Sequence, residues 1–445
     1  MKRAIDDILK EWKDSRTRQP LLVRGARQVG KTHSVTAFGR ACFDGMATVN
    51  FEERPEFARC FSDFDPRAII DRLSVLTGAD ITPGRTLLFL DEIQDCPEAI
   101  MSLRYFYEKM PRLHVIGAGS LMEFALSSTR FRMPVGRVQS VYMFPVSFDG
   151  FLGALGEDKM RRYLRGVHLK DGVEKTFKSR LENLARRYFF TGGMPGVVSA
   201  FSDRVSATEI QRLQSGLIMT YSEDFAKYAS KAKHKYLKDV YRNAPRMVGR
   251  RYKYSHVNPN VETKFLKEAL DLLCDARCLA RIRHASGAGT PLSASADERK
   301  FKISFLDVGL MQRALHTQEK TITGESIMTI NAGAAAEQFV AQELFARRDP
   351  YSEPRLHFWV REARGSAAEV DFLIEEDGLA LPVEVKSGAR GSLKSMRLFL
   401  DRYPKTPLGI RYSMHDLSYC DRLLSIPLYM IGHTGRLLRE SLDSR

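Results

Sequence analysis

The chain has 445 residues, 44% of them hydrophobic and 28% charged, enough material for about two to four domains with buried cores. Lys and Arg number 69 against 54 Asp and Glu, leaving a net charge of +15. No run approaches the ~18 apolar residues of a membrane-spanning helix, and the charged, amphipathic start MKRAIDDILKEWKDSRTRQP is no signal peptide, so a cytoplasmic protein without a membrane partner is expected.

In chain order, an amphipathic helix to residue 17 precedes the apolar run LLVRG, a Gly-containing turn and a helix from Lys31. Buried strands are predicted at 47–51 (ATVNF), 86–92 (TLLFLDE), 113–120 (LHVIGAGS) and 138–144 (VQSVYMF). Apolar strands alternating with helices predict an α/β core with a parallel sheet covered on both faces. After Pro145 the periodicity becomes helical through 158–190 and 204–245, interrupted by TGGMPG at 191–196. Residues 259–315 read as a helix, a loop and the strand-turn FKISFLDVGL, an order similar to a winged helix, and 316–330 read as a linker. From 333 a helix leads into RLHFWVRE, AEVDFLIEE and LALPVEVKSG, a second α/β unit. The expected division is 1–150, 151–245, 246–320 and 331–445.

The six cysteines (Cys42, Cys60, Cys96, Cys274, Cys278 and Cys420) form no CxxC pair and have no histidine-rich partner. Reduced thiols are expected, not disulfides or zinc.

Residues Gly25, Ala26, Arg27, Gln28, Val29, Gly30, Lys31 and Thr32 fill the pattern GxxxxGK[ST] between an apolar strand and a helix, where His33 follows. Glycines let the backbone curl so that its N–H groups face phosphate oxygens. Lys31 supplies charge to the β and γ phosphates, and Thr32 supplies a hydroxyl to Mg²⁺. ATP and Mg²⁺ are therefore the expected ligands. The strand TLLFLDE carries Asp91 and Glu92 to the sheet edge where ligands of parallel sheets bind. Asp91 suits Mg²⁺, directly or through water, and Glu92 suits a base that orients the attacking water.

These two segments resemble the Walker A and Walker B motifs of AAA-plus ATPases. The resemblance implies that Ser120, ending the next strand, is the polar residue near the γ-phosphate; a strand-end cap is the alternative. It also implies an arginine acting on a neighbouring subunit, for which Arg137 is preferred over Arg130 and Arg132, and hence a homo-oligomeric ring, a hexamer being favoured.

Downstream, Asp371 in AEVDFLI and Glu384 and Lys386 in LPVEVKSG resemble a PD-(D/E)XK nuclease, a restriction-endonuclease-like α/β fold. Glu384 and Lys386 share a strand face, and Asp371 lies on the adjoining strand. Clustered carboxylates call for a cation, so Mg²⁺ or Mn²⁺ is expected on Asp371 and Glu384, with Lys386 beside the nucleophile. Glu337 would be a helix-borne extra ligand, and Glu369 competes with Asp371. The whole order, from the P-loop through TGGMPG and FKISFLDVGL to VEVKSG, is similar to a large family of bacterial and archaeal ATPases ending in a domain of unknown function with a nuclease-like core.

The charge is concentrated in the middle: residues 1–150 carry +2, 151–330 carry +13 and 331–445 sum to zero. Ten Lys or Arg and one acid lie between Lys227 and Lys253. Lys231, Lys235, Lys238 and Arg242 would align on one helix face, with Arg250 and Arg251 following and tyrosines interleaved. Such a stripe suits a DNA backbone without sequence readout; a solvated helix face is the plainer alternative. The expectation is an ATP-hydrolysing motor that remodels or translocates on DNA. Its rival is an ATP-dependent switch that binds a protein or RNA, with the nuclease fold an inactive scaffold.

Overall fold

The computed structural model describes residues 1–120, 122, 136–228, 231–318, 332–363, 366–386 and 393–443. The five expected N-terminal strands form, as β1 Leu21–Arg24, β2 Gly45–Asn50, β3 Thr86–Asp91, β4 His114–Gly119 and β5 Gln139–Tyr142. They make one sheet in the order β2-β3-β4-β1-β5, every pair parallel. Alternate residues feed separate cores on its two faces: Leu22, Leu88, Leu90 and Val115 on one, and Leu21, Val23, Leu87, Phe89 and Ile116 on the other. Burial on both sides explains why these strands read as unbroken apolar runs. Helices α1 Ala4–Asp14, α2 Lys31–Cys42, α3 Pro66–Thr77 and α4 Pro97–Lys109 accompany the sheet.

The middle is helical, as its periodicity requires: α5 Phe148–Ala154, α6 Asp158–Gly166, α7 Lys175–Thr191, α8 Pro195–Ser202, α9 Ala207–Tyr228, α10 Lys231–Met247 and α11 Thr263–Asp275. Next come β6 Leu279–His284, β7 Asp297–Phe305 and α12 Val308–Ala314. The C-terminal part adds α13 Ala332–Ala346, β8 Leu356–Ala363, β9 Ser366–Glu376, β10 Leu379–Lys386, α14 Lys394–Arg402, β11 Gly409–Ser413, β12 Ser418–Cys420, β13 Leu423–Pro427 and α15 Thr434–Asp443.

The winged-helix-like unit expected at 246–320 is not a separate layer. Its hairpin β6/β7 is antiparallel, but β6 also pairs in parallel with β8. Both strands thereby belong to one eight-stranded mixed sheet, β12-β13-β11-β10-β9-β8-β6-β7. A strand has two edges, and β8 fills the second edge of β6, which would otherwise leave its backbone groups unpaired. One continuous core, including Phe148, Tyr188, Phe189, Leu310, Phe339 and Val383, joins the helical middle to this sheet.

The TGGMPG segment is the joint. Gly193 N–H donates to Asp307 Oδ2 at 2.5 Å, Leu310 N–H donates to Oδ1 at 2.9 Å, and the Gln342 amide donates to Oδ2 at 3.2 Å. Asp307 is fully buried, so these bonds replace its hydration. Gly192 has φ +72°, and a Cβ there would collide with the Asp307 carboxylate, so the position needs glycine. No described helix is long and apolar enough to cross a membrane, and all six cysteines are free.

Candidate nucleotide site and C-terminal carboxylate cluster

Strand β1 ends at Arg24 and is followed by Gly25, where a Cβ would run into the Met143 carbonyl oxygen. Gln28 (φ +63°) and Gly30 (φ +93°) turn the chain through left-handed conformations into the N-terminus of α2. Lys31 is buried, and its ammonium donates to the carbonyls of Gly25 at 3.1 Å and Ala26 at 2.9 Å, which folds the loop over it. Thr32 and His33 are exposed at the mouth, while Ala26 and Val29 pack inward.

Strands β1 and β3 are separated by β4, yet being parallel they end on the same edge. The Thr32 hydroxyl accordingly lies 3.1 Å from each Asp91 oxygen. Burial, with the adjacent Glu92 charge, pushes the Asp91 carboxyl up to about 6, against the lowering effect of the Thr32 bond. Glu92 sits at φ +48°, a left-handed conformation that ends the strand, and Gln94 donates to its Oε2 at 2.7 Å. Ser120 is buried just beyond β4, between the two loops. A glycine cradle, a buried ammonium and a hydroxyl–carboxylate pair at the helix N-terminus fit a magnesium nucleotide.

Four partners of this loop escaped the sequence reading. Arg3, at the start of α1, donates to the Val29 carbonyl at 3.0 Å and the Phe144 carbonyl at 2.7 Å. From α9, Asp224 accepts from Arg27 at 2.6 Å and the Tyr221 hydroxyl donates to the Arg27 carbonyl. Glu52 takes the other side of the Arg27 guanidinium at 3.1 Å. The helical middle is thus clamped onto the P-loop. An acid in an otherwise basic region was the only sequence hint, and it marked Asp224 no more than its neighbours.

Arg137 is paired within its own chain, its Nε 3.1 Å from Glu108 Oε1. Arg130 and Arg132 lie outside the described residues.

The C-terminal acids do converge. Antiparallel pairing with Val383 opposite Phe372 places Asp371 beside Glu384, and Asp371 Oδ2 accepts from Val385 N–H at 2.8 Å. Lys386 Nζ is 2.6 Å from Glu384 Oε2. Burial raises the Glu384 and Glu337 carboxyls, Asp371 adding to the effect in both.

At the expected metal centre a cation already stands among these acids, Lys302 of β7. Its ammonium is 2.7 Å from Glu369 Oε1, 3.5 Å from Glu337 Oε2 and 3.7 Å from Asp371 Oδ1. Burial would lower the Lys302 pKa, but the three carboxylates outweigh it and keep the amine charged. Among the described residues, no group of three or more His, Cys, Asp and Glu side chains is arranged to hold a metal ion.

The basic stripe is partly as expected. In α10, Lys235 and Arg242 are exposed and Lys238 is half-buried, opposite the buried Leu237, Val240 and Ala244; Arg246 extends the exposed row. Arg250 is exposed, whereas the side chain of Lys231 lies outside the described residues. Arg251 leaves the stripe: it bridges to Lys302 across the sheet edge, and its Nε reaches Glu369 Oε2 at 3.1 Å. The interleaved tyrosines are packing residues, Tyr241 and Tyr252 being buried and Tyr236 stacked on Phe265.

Residues 17–152 match the family described as AAA domain, and 182–321 and 332–430 match two domains of unknown function, DUF8612 and DUF4143. No curated protein matches the chain. Among solved structures it is similar to the Walker-type ATPase of Pyrococcus abyssi, with 16% identity over 71% of this chain and 95% of the other and a TM-score of 0.46. It is also similar to the RuvB Holliday junction branch migration motor of Thermotoga maritima (15% identity, 61% and 85% covered, TM-score 0.29). A third is the ORC1 protein of Aeropyrum pernix in complex with DNA (12% identity, 70% and 90% covered, TM-score 0.29).

Proposed function

We propose that the chain, an AAA-type P-loop ATPase domain joined to a helical middle and a C-terminal α/β part with a mixed sheet, is an ATP-hydrolysing motor that works on DNA as a homo-oligomeric ring. The observation that carries this reading is the meeting of Thr32 and Asp91 at 3.1 Å, with Glu92 next in sequence. Thr32 and Asp91 would hold Mg²⁺, whose charge would offset that of the β and γ phosphates. Lys31 leaves the Gly25 and Ala26 carbonyls for the phosphates, Glu92 orients the attacking water, and Ser120 supports the γ-phosphate from between the loops.

The exposed row Lys235, Arg242, Arg246 and Arg250 supplies the DNA contact, through phosphates and without base readout. The clamp of Arg27 by Tyr221 and Asp224 couples the nucleotide loop to α9, and the next helix, α10, carries Lys235, Arg242 and Arg246 of the row. The C-terminal part is nuclease-like in fold, with Glu337, Asp371, Glu384 and Lys386 in one cluster. In a ring, Arg137 would exchange Glu108 for the neighbouring subunit's nucleotide, making turnover depend on assembly. Comparing ATP turnover of the wild type and Glu92→Gln across protein concentration tests the catalytic part: turnover that Glu92→Gln leaves unchanged rejects it.

A further inference from the structure

The carboxylate cluster poses a charge problem. Four acids, Glu337 from α13, Glu369 and Asp371 from β9 and Glu384 from β10, gather around Lys302 of β7 and Lys386 of β10. Like charges in so small a buried space require a cation. Three are already present: Lys302 among Glu337, Glu369 and Asp371, Lys386 on Glu384, and Arg251 on Glu369.

We infer that Lys302 is the resident cation of this nuclease-like site and stands where a divalent metal would, so the site binds no catalytic metal and holds β7, β9, β10 and α13 together instead. The side chain of Lys302 is 1% exposed, and its ammonium lies 5.4 Å from the centre of the Phe358 ring. It cannot swing into solvent as a surface lysine does. Its strand neighbours Phe301 and Ile303 are themselves core residues, which fixes the strand that carries it. The Gly249 backbone packs against the cluster, since a Cβ there would lie 3.1 Å from Glu337 Oε1. A metal entering the site would have to expel a buried ammonium and strand it beside a second positive charge. The acids that resemble a metal-dependent nuclease are thereby spent on an internal ion-pair network.

The experiment is Mn²⁺ binding to the nucleotide-free, full-length chain, followed by electron paramagnetic resonance, for the wild type, Asp371→Asn and Glu384→Gln. The inference predicts identical isotherms for the wild type and whichever variants fold, and no Mn²⁺-dependent nicking of supercoiled plasmid. A Mn²⁺ ion bound by the wild type and lost in either folded variant overturns it, as does nicking that Glu384→Gln abolishes. Acetylation mapped by mass spectrometry gives a reading that needs no variant. Lys302 is expected to stay unmodified in the native chain with or without Mn²⁺, and labelling of Lys302 that rises on adding Mn²⁺ would show the metal displacing it.

Discussion

Asp91 is held in the fold at a cost, and Asp91→Asn should reveal it. With its pKa near 6 in the fold against 3.8 as the ordinary value, the carboxyl binds its proton more tightly in the native state than in the unfolded chain. At about 1.4 kcal/mol for each tenfold, ionising it in the fold costs up to roughly 3 kcal/mol relative to ionising it in the unfolded chain. This contribution is fully favourable below about pH 4, where both states are protonated. It is lost as the pH rises through 6, because the native state must then carry the charge. Asparagine never carries it and retains an oxygen for the Thr32 hydroxyl, so Asp91→Asn should be more stable than the wild type by ~1–3 kcal/mol at pH 8. The two proteins should converge near pH 4. The assay is urea unfolding of the nucleotide-free protein in chelator, from pH 4 to 8. A stability difference that stays flat over that range, or a variant less stable at pH 8, refutes the reasoning.

Other outcomes follow from the same geometry. Gly25→Ala puts a methyl group against the Met143 carbonyl, so binding of a fluorescent ATP analogue, read by polarisation, should weaken more than tenfold. A double-mutant cycle of Arg27→Ala and Asp224→Ala should give a coupling of ~1–2 kcal/mol in unfolding; Glu52 remains for Arg27, and Asp224 Oδ2 is buried without a hydrogen bond, both of which moderate the effect. Replacing Lys235, Arg242 and Arg246 together by Gln should weaken DNA binding across sequences and flatten its log–log salt dependence by roughly 2–3, at ~0.9 per lost phosphate contact.

What the sequence disclosed depends on how local each feature is. The P-loop, its two flanking elements and Asp91 with Glu92 are contiguous motifs whose residues carry their own geometry, and they fall where the pattern put them. The apolar strands were equally legible, since burial on both faces leaves no polar alternation to misread. Lys302 was not legible: it sits in a strand whose pattern reads as a hairpin of a separate unit, and its partners Glu337, Glu369 and Asp371 come from α13 and β9, further along the chain. Arg251 looked like one more cation in a basic run, and only the bridge to Lys302 turns it toward Glu369. Tyr221 and Asp224 were hidden in an ordinary amphipathic helix, because pairing with the P-loop is a property of tertiary packing and not of spacing.

The most direct test of the central claim is ATP turnover by the full chain with and without duplex DNA, measured alongside DNA binding at rising salt. The account predicts turnover stimulated by DNA, lost in Glu92→Gln, with binding that falls steeply as salt increases. Turnover indifferent to DNA, together with no salt-sensitive binding, would contradict it.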